Sequence, residues 1–299
     1  MQAFRIPFKA MASACEVVLA AGDEQQARAL AQPAIDEVHR VEFKFSRYRP
    51  DSIVSRINAA ARQAAIACDS ETWSLLEYAD SLYRSSGGLF DITSGVLRRA
   101  WNFNTPRVPA ESELAAAREL IGWARVERES HRVRLPEAGM EIDFGGFGKE
   151  YAADRAGAIL EARGVRHGYV NLAGDMRVLG PKPDGQPWMI GIQDPRHQGR
   201  ILATIPVDRG GLATSGDYER FFELDGQRYC HVLDPRSGRP VTFWRTVSAL
   251  APLAVMAGSC TTIAMLKQAE GLDFLQACGL TYLAVDQQGV IHRNHPATA

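Results

Sequence analysis

The chain has 299 residues, 46% of them hydrophobic, with 34 Lys and Arg against 35 Asp and Glu for a net charge of −1. That length and apolar content support a large core of one or two domains. The balanced charge gives no basic face for nucleic acid, and no apolar run reaches the length of a membrane-spanning helix.

Five scattered cysteines form no C-x-x-C pair, so neither a zinc knuckle nor a disulfide framework is expected. The N-terminal Met1-Gln2-Ala3-Phe4-Arg5-Ile6-Pro7-Phe8 lacks a basic segment followed by a sustained apolar one. This predicts a cytoplasmic location, or a periplasmic one if a leader has been removed.

Taken in order, Cys15 to Ala20 is β-branched and apolar and predicts a strand, after the short segment Met11-Ala12-Ser13. Glu24 to Phe45 carries Ala31, Ile35, Val38, Val41 and Phe45 at helical spacing. A polar turn with Arg47, Tyr48 and Arg49 follows, and Ser52 is placed to cap a short helix through Ile57. The two arginines and the tyrosine suit either a solvated loop or an anion with an aromatic ring. Ser70 to Ser85 predicts a helix stopped at Gly87-Gly88. Asp91, flanked by apolar residues, suits a cap of the next element or a ligand contact. Ser112 to Ile121 reads as an amphipathic helix and Val126 to Leu135 as a strand pair.

The most informative stretch is Glu141-Ile142-Asp143-Phe144-Gly145-Gly146-Phe147-Gly148-Lys149-Glu150, leading into a helix predicted over Tyr151 to Ala162. Glycines let backbone approach a ligand closely. A helix start offers free N–H groups and a positive dipole end to an anion, and Lys149 adds a full charge. A tight strand-to-helix turn with a surface lysine fits the same residues. Further strands are expected at Gly168 to Gly180 (around a turn), Trp188 to Gln193, Ile201 to Val207, Gly211 to Thr214, Phe221 to Leu224, around Tyr229, and Val247 to Leu253. A small-residue helix follows over Val255 to Gln268, then a hairpin over Thr281 to Val285 and Val290 to His292. Strands outnumber helices in the second half, which predicts a mixed α+β fold.

No Walker A, G-x-G-x-x-G, H-E-x-x-H or G-x-S-x-G motif occurs. Instead, five turns each join glycine or small residues to polar groups: Asp91, Asp143 with Lys149, Asn171 with Asp175, Thr214, Ser215 and Asp217, and His231 with Asp234. Together they suit a pocket for one large polar ligand. Each alone is satisfied as a turn.

As a set, the motifs resemble the ApbE-type FAD:protein FMN transferases. They are Phe45-Ser46-Arg47-Tyr48, Gly88-Leu89-Phe90-Asp91-Ile92-Thr93-Ser94-Gly95, the Asp143 to Asp154 stretch, Asn171-Leu172-Ala173-Gly174-Asp175, Ala213-Thr214-Ser215-Gly216-Asp217-Tyr218 and His231-Val232-Leu233-Asp234-Pro235. They stand in that family's order along nearly the whole chain. The resemblance implies one two-lobed α+β domain over residues 1–299, with FAD between the lobes and Mg²⁺ on its pyrophosphate. It implies an acceptor flavoprotein whose Thr or Ser hydroxyl takes FMN while AMP leaves. Met11, Tyr48, Leu89, Phe90, Asp91, Asp143 and Lys149 match flavin-contacting positions. Gly146 and Thr262 match metal positions, and His231 matches a histidine near the phosphates, suited to proton transfer.

Three departures from the pattern stand out: Met11-Ala12-Ser13 replaces Met-Gly-Thr, Glu150 replaces a glycine, and Gly258 replaces a metal-binding aspartate. Loss of that acid allows a flavin-binding relative with weak or lost transfer, or a FAD pyrophosphatase. On sequence, Asp143, Asp217 or the phosphates are left to retain the metal, and Gly258→Asp is expected to raise metal-dependent activity.

Overall fold

The computed structural model describes residues 2–197 and 199–294. The chain starts with β1 (Gln2–Ala10) and β2 (Ser13–Ala21), joined by the two-residue turn Met11-Ala12. Both turn residues have positive φ, 51° and 57°, as a type I′ hairpin requires. Helix α1 (Glu24–Phe45) has the predicted bounds because Asp23 caps it, accepting from the Gln26 N–H. Ser52 caps α2 (Ile53–Ala59) in the same way. Then come β3 (Ile66–Ala67) and α3 (Ser70–Ser85), capped by Asp69. Next are α4 (Glu111–Glu119), β4 (Glu127–Glu129) and β5 (Arg132–Arg134).

Helix α5 (Gly148–Ala162) starts three residues earlier than predicted and takes Lys149 and Glu150 into its first turn. The second half contains β6 (Gly168–Leu172), β7 (Asp175–Gly180), β8 (Trp188–Gln193), β9 (Ile201–Val207), β10 (Gly210–Gly216), β11 (Phe221–Leu224), β12 (Gln227–Cys230) and β13 (Trp244–Ala251). It closes with α6 (Ala254–Lys267), α7 (Gly271–Ala277), β14 (Thr281–Asp286) and β15 (Ile291–Arg293).

One antiparallel sheet of eight strands organises the molecule, in the order β1-β2-β6-β7-β10-β13-β14-β15. Side-chain alternation along each strand sorts the apolar residues onto its two faces. Val17, Leu19, Val170, Leu172 and Leu179 point to the side covered by α1 and α5. Ala213, Val247, Ala249 and Ala284 continue that face under α6 and α7. The intervening residues, such as Val18, Tyr169, Val178, Leu212 and Leu283, face the β8–β9 hairpin. The helical face thus holds two separate cores, which is the physical content of the two-lobed expectation. The seam between them runs where α5 meets α6.

That seam is clasped by the last residue of the Asp143 to Asp154 stretch. No side chain of its own caps α6; the Asp154 carboxylate of α5 accepts from the N–H groups of Ala254 and Val255, both at 2.9 Å. It satisfies two otherwise orphan donors and fixes the register of the two helices. Asp154→Ala is expected to cost about 2 kcal/mol, read as a lowered melting temperature by circular dichroism. An unchanged melt would mean that water replaces the cap at no cost. Among the described residues, no helix is long and apolar enough to cross a membrane, and the five cysteines are free thiols.

Candidate active site

The glycine turn is built from below. Phe144 and Phe147 are 2% and 0% exposed and sink into the core, their rings 5.1 Å apart. Phe90 stacks on Phe147, and Phe45 and Tyr78 complete the pile. With Phe144 and Phe147 anchored, Gly145 is exposed and Gly146 half-buried between them. A Cβ on Gly146 would lie 2.9 Å from the Phe90 ring, so only glycine keeps the turn this low. Asp143 accepts from the Gly145 N–H at 2.9 Å and pairs with Arg47. Burial opposes the charge on Arg47, but Asp143 beside it holds the guanidinium pKa above its usual value. Arg47 is therefore not a free solvated arginine. It also donates to the Tyr48 hydroxyl at 2.8 Å, and Tyr48 itself is 74% exposed, an open aromatic face beside the turn.

At the head of α5, Phe147 provides no side-chain cap, and the Gly148 N–H donates to the Phe144 carbonyl at 2.7 Å. Lys149 Nζ lies 2.8 Å from Asp175 Oδ2 on β7. Burial works against its charge, yet Asp175 and Glu150 hold its pKa above normal. Asp175 and Glu150 are themselves buried, and both carboxyls are pushed above the usual carboxylate range, by desolvation first. Asp175 adds its charge to the shift on Glu150.

His231 follows β12 directly, and its N–H donates to the Arg220 carbonyl at 3.0 Å. Desolvation first, then the charges of Arg220 and Lys149, push its pKa down to about 4. The imidazole is thus neutral at pH 7, and its buried Nδ1 has no hydrogen-bond partner among the described residues. On the far side, the Ser215 hydroxyl lies 2.9 Å from that of Thr261 and 3.2 Å from that of Thr262, joining β10 to α6.

The other expected residues sit as follows. Met11 occupies the β1–β2 turn and its N–H donates to Glu42 at 2.7 Å. Leu89 and Phe90 are buried. Asp91 is also buried: its Oδ1 accepts from the backbone and hydroxyl of Thr93, and its Oδ2 from the Trp123 N–H. Its carboxylate organises the loop, and it does not occupy the cap position of the turn of 3-10 helix over Ser94–Arg99 that follows. Asp234 accepts from the Arg236 N–H, as a turn former does.

Two sequence expectations need correction. Asp217 is not free for a metal, because Arg196 binds it through both oxygens, at 2.6 and 2.7 Å; Asp143 is likewise engaged by Arg47. Gly258→Asp is not a simple gain either. A Cβ there would lie 2.2 Å from Glu150 Oε1, so an aspartate added alone collides with a carboxylate already in place. Sequence reasoning noted Glu150 and Gly258 separately but could not see that they share one volume. Arg196 gave no signal, and Asp154 stood in the matching motif with its partners on α6 invisible, because they lie about a hundred residues along the chain. No cluster of three or more His, Cys, Asp or Glu side chains gathers among the described residues. A hard-cation site here would draw on carbonyl, hydroxyl and one carboxylate oxygen.

Fold and site together define an α+β protein with a cationic helix head, a neutral histidine and a hydroxyl-lined wall along one seam. The ApbE family model matches residues 11–284, and the chain belongs to the ApbE family. It is 30% identical to the FAD:protein FMN transferase of Vibrio cholerae serotype O1, over 77% of this chain and 70% of that one. It is 32% identical to the Treponema pallidum protein of the same name, over 81% and 76%. The crystal structure of the ApbE protein from Thermotoga maritima superposes with a TM-score of 0.90 at 31% identity, covering 98% of this chain and 97% of that one.

Proposed function

We propose that the chain is a FAD:protein FMN transferase acting as one unit along its length. The acceptor is a flavoprotein carrying a Thr or Ser hydroxyl. That oxygen attacks the FMN-side phosphorus of FAD, the bond to the AMP phosphate breaks, and FMN is left joined by a phosphoester. The single observation that carries the reading is the buried His231 Nδ1, which has no hydrogen-bond partner among the described residues, in an imidazole held neutral by desolvation and the nearby charges of Arg220 and Lys149. A neutral imidazole can take the proton of the attacking hydroxyl, whereas an imidazolium could not. Names of relatives over most of the chain support the same reading.

The other residues take the roles that the family resemblance implies. Tyr48 offers its exposed face to the isoalloxazine ring. Met11, Leu89, Phe90 and Asp91 shape the wall of that pocket, and Asp143 holds the turn that carries it. Lys149, at the positive end of α5, binds the phosphates. The carbonyl of Gly146 and the hydroxyl of Thr262 are hard oxygens suited to Mg²⁺. When bound, that ion would neutralise charge developing on the pyrophosphate oxygens.

The test is direct. The protein is incubated with FAD, Mg²⁺ and an acceptor domain, and a denaturing gel is read for covalent flavin fluorescence alongside AMP release. One AMP per flavin transferred is expected. FAD retained without AMP release would overturn the reading in favour of a flavin-binding relative.

A further inference from the structure

Glu150 is the third residue of α5 and is only 7% exposed. Its carboxylate lies flat against the backbone of α6. Relative to a Cβ built on Gly258, Oε1 would be 2.2 Å away, Cγ 2.6 Å and Cδ 2.7 Å. The side chain therefore fills the volume that any larger residue at 258 would occupy. Its Oε2 is buried and has no hydrogen-bond partner among the described residues. The nearest cation is already committed, since Lys149 pairs with Asp175 at 2.8 Å. An unpaired buried carboxylate is costly unless a cation or a proton joins it.

Helix geometry says what else this carboxylate meets. Asp154 ties α5 to residues 254 and 255. One turn back along α5 is Glu150, and one turn on along α6 is Gly258, so the two helices run antiparallel at the clasp. Thr262 lies four residues beyond Gly258, on the same face of α6. Its hydroxyl is held 3.2 Å from that of Ser215. A buried carboxylate oxygen and an oriented hydroxyl thus lie along one seam, beside the turn that carries Gly146. Oxygen donors of this kind suit a small hard divalent cation.

We propose that Glu150 delivers from α5 the carboxylate of a divalent-cation site on the FAD pyrophosphate, in the volume where a side chain at position 258 would otherwise stand. Glycine at 258 and glutamate at 150 are then one exchange: the acid has crossed the seam from one helix to the other. The proposal rests on the transferase reading above.

The experiment measures Mn²⁺ binding by the full chain with FAD present and acceptor absent, following free Mn²⁺ by electron paramagnetic resonance. FAD binding is read separately from flavin fluorescence, and folding from circular dichroism. Glu150→Gln keeps the shape and removes the charge. It is expected to keep the fold and FAD binding while weakening Mn²⁺ affinity by at least about tenfold. The double variant Glu150→Gly with Gly258→Asp returns the acid to α6 and is expected to recover Mn²⁺ affinity to within about threefold of the parent. Gly258→Asp alone places two carboxylates in one volume and is expected to melt lower with no gain in affinity. Parent-like Mn²⁺ affinity in Glu150→Gln would overturn the proposal and leave Glu150 as a filler of the glycine gap. A parent protein that binds neither FAD nor Mn²⁺ would instead overturn the transferase reading, and the two failures are distinct.

Discussion

His231→Ala will slow flavin transfer by about a hundred- to a thousandfold, the usual contribution of one positioned proton acceptor, while FAD affinity stays within about threefold. Single-turnover transfer to an acceptor domain, beside a fluorescence titration with FAD, checks both halves. Equal losses in binding and transfer would make His231 a ligand contact only. The same residue sets a pH dependence. Burial and the nearby charges of Arg220 and Lys149 hold its pKa at about 4 in the folded chain, below the 6.5 of an unperturbed histidine. The acid limb of kcat/KM, which reports the free enzyme, is therefore expected near pH 4 to 5 and not near 6.5. Stability follows the same sign. Between pH 6.5 and 4 the unfolded chain binds a proton at this residue that the folded chain does not. Acidification through that window costs stability, and His231→Ala removes that part of the loss.

Lys149→Met is expected to abolish measurable transfer and to lower stability by about 2–3 kcal/mol. The figure sits below that for breaking a fully buried pair because the Lys149 side chain is one-third exposed and partly screened. Two buried carboxyls, Asp175 and Glu150, then lose their cation. Both already sit above the usual carboxylate range, and removing Lys149 raises them further. A carboxyl whose folded pKa is raised contributes fully below its unfolded value and loses that contribution as pH rises. The deficit of the variant should therefore grow from pH 5 to pH 8. Melting curves of parent and variant at those two pH values test it, and a deficit independent of pH would show that the carboxyls find other partners.

These outcomes also separate what was legible in the chain from what was not. Helices α1 and α3 have the bounds expected from the sequence, from the helical spacing of apolar residues such as Ile35, Val38 and Val41 in α1 and from the Gly87-Gly88 stop after α3. The glycine turn is equally visible, since it is made of neighbours in sequence, whereas β1, whose pairing makes Met11-Ala12 a hairpin turn, is not expected from the sequence. The start of α5 was misplaced by three residues. Glycine at 148 argued against helix there, but the anchoring of Phe147 beneath the turn overrode that propensity. The site's electrostatics were hidden for a different reason. Arg47 with Asp143, Lys149 with Asp175, Arg196 with Asp217, and Glu150 against Gly258 are pairs made by tertiary packing. Residue types at each position suggested chemistry, but only packing shows which charges are already spoken for.

The clasp between α5 and α6 governs when the protein can become competent as well as how it stands. The two bonds that Asp154 makes span 100 and 101 residues, and the Tyr78 hydroxyl reaches Ser259 across 181. Contacts so distant in sequence form late, after loop closure has brought the ends together. During synthesis the head of α5 emerges long before its partner helix, and Glu150 then has no Gly258 to lie against. The α5–α6 seam therefore closes late: a nascent polypeptide halted ahead of residue 254 has the glycine turn and the lysine but not the helix that Asp154 caps.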